Sequence, residues 1–315
     1  MNRRTRHIAL HSRRGAYIAL VCLTLVWGFN WMALKYGLVY ARPAIYNIHR
    51  ILVAVSVLFI VMRWEGRPFW PQSWIAVVVT GFFQTTINFS ATTFALASGG
   101  AGRTSVLVFT MPFWTMLMAW PVLHERVRGM QWLAVALAVT GLVIVVEPWH
   151  WEGELAPKLW AALSGFGWAA GTVSTKYFQR RYKLDTLNLI TWQMAVGMLP
   201  LMLVPWLFPQ PAAQWSVVYV AAVFYAGVIA TGFGFILWTA VLGVLPAGTA
   251  SLNMFAIPVI AIVSSMLVFD ERISATEWTG IACIGVGLAI LSLRAWMETK
   301  RGHDEAVQAP AIESG

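Results

Sequence analysis

"AGRTSVLVFTMP", residues 101–112, returns as "AGTASLNMFAIP" at residues 247–258, and the offset of 146 persists downstream. "HERVRGMQW" (124–132) lies over "DERISATEW" (270–278), so Glu125 answers Glu271, Trp132 answers Trp278 and Gly141 answers Gly287. Upstream, "WGFNWMALKY" (27–36) lies over "WAAGTVSTKY" (168–177) at offset 141, and "HRILVAV" (49–55) over "WQMAVGM" (192–198) at offset 143. An offset that drifts by two and then by three is what small loop insertions leave behind. The chain is therefore a tandem of two halves, 16–147 and 156–296.

Composition says where such a tandem lives. Of 315 residues, 59% are apolar and only 11% charged, with mean hydropathy +0.67. Soluble domains carry roughly a quarter charged residues. This chain cannot screen so much apolar surface from water, and it reads as an all-α integral membrane protein. The net charge of +9 assigns basic loops to one face of a bilayer rather than a nucleic-acid partner. Two cysteines, Cys22 and Cys283, both lie in apolar runs and form neither a disulfide framework nor a metal cluster.

Ten runs reach about the 20 apolar residues that a helix needs to cross the hydrocarbon. They are 16–36, 43–62, 72–97, 101–121, 129–146, 156–178, 186–207, 214–243, 247–268 and 275–296. The basic segment 1–15 precedes a full-length apolar run with no small-residue cleavage site, so the first run is expected to be retained as a helix. The polar tail, 297–315, is expected to be disordered. With the N-terminus in the cytoplasm, the alternating connections put fifteen Lys and Arg inside and five outside (Lys35, Arg42, Arg103, Lys158 and Arg272). That asymmetry predicts both termini inside.

Five spans per half is an odd number. The second half must then enter the membrane upside down, giving two inverted five-helix repeats related by an axis in the membrane plane. Such a pair has two packings, open to opposite sides, with a solute site between the halves.

"WGFNWMALK", Arg50 in the second run, a proline in the fourth, "HER" or "DER" after it and a Gly-rich last helix resemble the EamA-type transporters of the drug/metabolite transporter superfamily. The resemblance covers both halves. It implies ten helices in two inverted repeats in a bacterial inner membrane and export of metabolites, with amino acids, and among them the aromatic ones, as the expected solutes. Quaternary amines, nucleotide-like or sugar solutes of the same fold, with or without proton coupling, remain the alternative, and an intramembrane enzyme or an assembly subunit a third class.

Polar side chains at membrane depth are costly and mark function. Asn30, His49, Arg50, Gln84 and Asn88 in the first half, with Gln193, Tyr225 and Asn253 in the second, are the candidate solute contacts. Trp168 and Trp238 are the candidate aromatic walls, and Trp168 is the repeat mate of Trp27. Pro112, Pro258, Gly232 and Gly234 are candidate hinges, since proline frees a carbonyl and glycine permits a bend. No catalytic motif, metal cluster or phosphate loop is present, so neither a cofactor nor an ATPase subunit is expected. Glu125 and Glu271 fall at opposite membrane ends, where a salt bridge or a helix N-terminal role is expected of each. All thirteen acidic residues lie in loops, tails or span ends, which predicts transport driven by the solute gradient alone.

Overall fold

The computed structural model describes residues 13–124, 129–146, 155–242 and 256–308, and every regular element among them is helical. The first half contains α1 (Arg13–Tyr40), α2 (Pro43–Trp64), α3 (Trp74–Ser98), α4 (Ala101–Leu123) and α5 (Met130–Val146). The second contains α6 (Leu155–Tyr182), α7 (Thr186–Leu207), α8, α9 (Ala256–Phe269) and α10 (Ala275–Gln308). α8 runs as Val217–Phe224, a π segment Tyr225–Phe233, and Gly234–Leu242.

The repeat is visible in these bounds. α1 and α6 are each 28 residues long. Ser73 caps α3 by accepting from Ala76 N, and Ser216, 143 residues later, caps α8 by accepting from Tyr219 N. π segments begin at Phe82 and Tyr225, again 143 apart. The long third and eighth runs are thus accommodated by π turns, which hold an extra residue per turn and are frequent at functional sites.

Packing follows the same symmetry. α1 packs on α8 and α9, and α6 packs on α3 and α4. α2 packs on α8 as α7 packs on α3, and α5 packs on α10. Each of these contacts joins one half to the other, and exchanging the halves maps each onto a partner. At the α5–α10 contact a Cβ on Gly141 would sit 2.5 Å from Gly280 O, and one on Gly280 would sit 2.8 Å from Gly141 O. Close backbone approach through small residues is how helices associate where lipid removes the hydrophobic drive.

Among the described residues, six helices are long and apolar enough to cross a membrane: α1 from Ile18, α2, α3, α4, α7 and α8. The apolar stretches of α5 and α9 are shorter among the described residues. α6 and α10 are long but not among the six; α6 is rich in Gly, Ala and Ser, and α10 carries the polar stretch "METKRGHDEAVQ" (297–308) beyond its apolar one. That last stretch lies in the segment expected as a polar tail. It is helical to Gln308 because Met, Glu, Lys, Ala and Gln are good helix formers extending a helix already nucleated.

Pro112, a candidate hinge, stands beside a break in α4. α4 is interrupted at Phe109–Thr110, and Pro112 stands in the first turn of its second piece, Met111–Leu123, where a missing N–H costs nothing. Pro258 likewise lies in the first described turn of α9.

Candidate solute site

α1 presents Trp27, Asn30, Trp31 and Leu34 to the interior at the spacing of one helical stripe. Facing them are Arg50 of α2, Asn88, Phe89 and Thr92 of α3, Trp168 of α6 and Phe235 of α8. The interruption of α4 supplies Val108, Phe109 and Met111. Together they enclose about 90 Å³ open to water centres, where one water takes roughly 10–15 Å³. Both halves contribute to the wall.

One side of this cavity is aromatic. The Trp27 ring lies 6.2 Å from Trp168, edge to face, 6.1 Å from Phe235 and 6.0 Å from Trp238. Its indole N–H donates to Ala230 O in the α8 π segment at 2.8 Å, which fixes the ring. The Cα of Gly234 lies against that same indole nitrogen, leaving no room there for a Cβ.

The other side carries a buried cation. Arg50 is 6% exposed. Its Nε donates to Thr231 Oγ1 at 3.1 Å and its guanidinium carbon sits 4.3 Å from the Phe89 ring centre. Thr231 in turn donates to Ala226 O at 2.7 Å, five residues back along the π segment. Among the described residues no acidic side chain pairs with Arg50; the ion pairs lie at Glu65–Arg67–Asp185 and Arg103–Glu277. Asn30, 9% exposed, has an amide oxygen with no hydrogen-bond partner among the described residues. A guanidinium with donors to spare fits a carboxylate in two-point fashion, and an amide oxygen accepts from an ammonium.

Of the residues singled out from sequence, Asn30, Arg50, Asn88 and Trp168 line this cavity. His49 does not: its Nδ1 is 2.6 Å from Tyr219 Oη and its ring lies on Trp215. Gln84 packs against Gly171, Gln193 is 3% exposed outside the cavity, and Tyr225 donates to Val26 O at 3.1 Å. Trp238 backs Trp27 from behind, Gly232 lies in the π segment against Val57, and Asn253 lies outside the described residues. Thr92 was not singled out, although it follows Asn88 by four residues on the same α-helical face. Phe89 and Phe235 had no signal beyond being apolar.

Asn88 is tied to the opposite half. Its Nδ2 donates to Ser164 O at 3.0 Å and Ser164 Oγ at 2.9 Å, while Ser164 Oγ is 2.6 Å from Thr92 Oγ1. Asn88→Leu therefore removes two buried hydrogen bonds to Ser164, at about 0.5–1.5 kcal/mol each. We expect a lower yield of monodisperse protein and a lower melting temperature in detergent. Asn88→Asp keeps the shape but replaces the donor amide with a buried carboxyl that has no cation beside it among the described residues, and should melt lower still.

Residues 14–147 and residues 156–293 each match the model of the EamA-like transporter family. The chain belongs to that family. Two copies of the family's domain thus lie in tandem along the chain. The chain is 24% identical over 281 residues to "Uncharacterized transporter YoaV" of Bacillus subtilis, covering 86% of this chain and 94% of that one. It is 24% identical over 292 residues to a "Probable amino-acid metabolite efflux pump" of Escherichia coli, covering 89% and 95%, and equally so to a protein so named in Salmonella typhimurium. A crystal structure of a protein 18% identical superimposes with a TM-score of 0.65 over 90% of this chain and 99% of the other, which supports the fold. Family and relatives are transporters rather than enzymes, and this EamA-family chain is a multi-pass membrane transporter.

Proposed function

We propose that this transporter exports amino acids with apolar or aromatic side chains, passing them between two inverted five-helix repeats that open to opposite sides. The observation that carries the reading is Arg50, a buried cation with no acidic partner among the described residues, on the wall of a cavity faced with Trp27, Trp168 and Phe235. A desolvated guanidinium is costly unless paired. A solute carboxylate would pair with it, Asn30 Oδ1 would accept from the ammonium, and the aromatic wall would take the side chain. The names of the relatives from Salmonella typhimurium and Escherichia coli support the same class. Arg50 speaks against cationic drugs, which it would repel at close range.

The proposed topology has ten crossings, both termini in the cytoplasm and the Lys35, Arg103, Lys158 and Arg272 end outside, in the inner membrane of a bacterium. Among the described residues no acidic side chain lines the cavity. We take transport to be driven by the solute gradient alone.

Binding tests the solute class. Labelled L-phenylalanine bound to detergent-purified protein should be displaced by L-tryptophan and L-methionine, and not by phenethylamine, which lacks the carboxylate, or by tetraphenylphosphonium. Affinity should be weak, because the solute must leave again. Displacement by the two carboxylate-free cations as effective as that by amino acids would refute the assignment.

A further inference from the structure

Lys and Arg are sparse at the end of the molecule where α3 meets α4, and they gather at one place. Of the five assigned to the outer connections, four surround a single vestibule. Arg103, Lys158 and Arg272 line it together with Glu271, Ser98 and Thr104. It holds about 180 Å³ open to water centres, twice the 90 Å³ of the solute cavity. Lys35 stands behind, donating to Leu96 O and Gly99 O at 2.8 and 2.6 Å, and Gly99 is part of the wall. Ser98 and Arg272 are exposed, so the mouth lies at the surface, while Lys158 is only 8% exposed.

The charges on this wall leave a positive excess. Arg103 pairs with Glu277 at 2.8 Å, and its Nη2 donates to Arg272 O at 2.7 Å. With that pair set aside, two lining cations still face one lining carboxylate. The carboxylate, Glu271, accepts from Gly102 N and Arg103 N at 3.1 and 3.3 Å, which turns its charge onto the first turn of α4. Lys158 stands in the first described turn of α6, where the helix dipole disfavours a cation. Helix stability alone does not call for it there.

The vestibule adjoins the solute cavity. On α3, Thr92 lines the cavity and Ser98 the vestibule, six residues and about 9 Å along the helix. On α4, Val108 lines the cavity and Leu107 the vestibule. The partition holds Leu96 and Leu107, both fully buried. Cations therefore stand on each side of a thin apolar step, Arg50 within it and Lys158 and Arg272 beyond it.

We propose that this vestibule is a second solute site, which takes the carboxylate after it leaves Arg50, so that the solute departs in two steps. The inference rests on the amino-acid reading above and adds where the carboxylate goes next. Lys158 and Arg272 hold the carboxylate, and Glu271 has lone pairs left to accept from the ammonium. A carboxylate paired with Arg50 in a dry cavity leaves slowly unless a neighbouring site receives it, and a path of several weak sites is how a solute is both bound and released.

The test uses the full chain purified in detergent, with Cys22 and Cys283 replaced by serine and one reporter, Ser98→Cys, in the vestibule. Two thiol reagents of similar size are compared, the anionic 2-sulfonatoethyl and the cationic 2-trimethylammonioethyl methanethiosulfonate. Their rate ratio, referred to that for free 2-mercaptoethanol, cancels differences in thiol reactivity. The anionic reagent should be favoured about 10-fold, since a cleft of one sign concentrates its counter-ions. Arg272→Gln alters an exposed side chain and should lower the ratio with folded yield intact; adding Lys158→Gln should bring it to about 1. L-Phenylalanine and 3-phenylpropionate should slow labelling, in the parent and in Arg50→Met alike, and phenethylamine should not. No preference for the anion, or a preference that both substitutions leave unchanged, overturns the site. Equal protection by inorganic phosphate makes it a general anion site and overturns its assignment to the solute, as does protection that is lost in Arg50→Met. Protection by 3-phenylpropionate but not by L-phenylalanine supports the vestibule and overturns the amino-acid reading instead.

Discussion

Arg50→Met abolishes amino-acid flux in proteoliposomes, by roughly 100-fold or more, while the variant melts in detergent at the same temperature as the parent or higher. The two halves of this expected result have one cause. Losing the buried partner of a bound carboxylate costs about 3–5 kcal/mol, and each 1.4 kcal/mol is tenfold in affinity. The folded protein loses little, since Arg50 gives it one hydrogen bond, to Thr231, and a contact with Phe89. It also no longer buries a charge that lacks an acidic partner among the described residues. Methionine fills similar space without that penalty. Arg50→Lys keeps the charge but not the planar fork, and should retain part of the flux with a raised KM. A variant that fails to fold would instead make Arg50 structural, and flux like the parent's would remove it from the site.

Trp168→Ala changes selectivity rather than merely lowering rate. Trp168 meets Trp27 at 6.2 Å and Phe235 at 5.9 Å, so its loss opens the aromatic wall. A solute ring that packs there loses about 1.5–3 kcal/mol of apolar burial. The KM for L-tryptophan and L-phenylalanine is expected to rise about 10- to 100-fold, and that for L-threonine much less. Trp27 keeps its bond to Ala230 O and holds the helix contact, so folded yield should fall only modestly. Equal loss for aromatic and small solutes would mean that Trp168 shapes the fold and not the site.

Sequence periodicity carried the architecture further than the site. The offset of 143 that aligns "HRILVAV" with "WQMAVGM" is the offset between the two π segments and between their capping serines. The Lys35–Lys176 and Glu271–Glu125 matches were legible as letters, but only contacts reveal that Glu271 caps a helix of the other half. The site resisted for local reasons. Gln84 and Asn88 stand four apart and read as one α-helical face, yet the π segment Phe82–Ile87 shifts the register between them. Gln84 turns to Gly171, while Asn88 reaches the cavity. His49 and Arg50 are consecutive on α2, so at about 100° per residue only one can face inward. The guanidinium does, and the imidazole meets Tyr219. The break at Phe109–Thr110 falls beside Pro112, a candidate hinge, and the sequence does not show where the helix stops before it restarts.

Counterflow tests the central claim most directly. Proteoliposomes loaded with unlabelled L-phenylalanine and diluted into a trace of labelled L-phenylalanine should show transient uptake of label above equilibrium, followed by decay. The overshoot should be unaffected by imposed proton or sodium gradients, and absent when Arg50→Met replaces the parent. It arises only if one site faces the two sides in turn and the solute itself carries the cycle. No overshoot with any amino acid, from protein shown to be folded, would contradict the account, as would accumulation that persists only while an ion gradient is held.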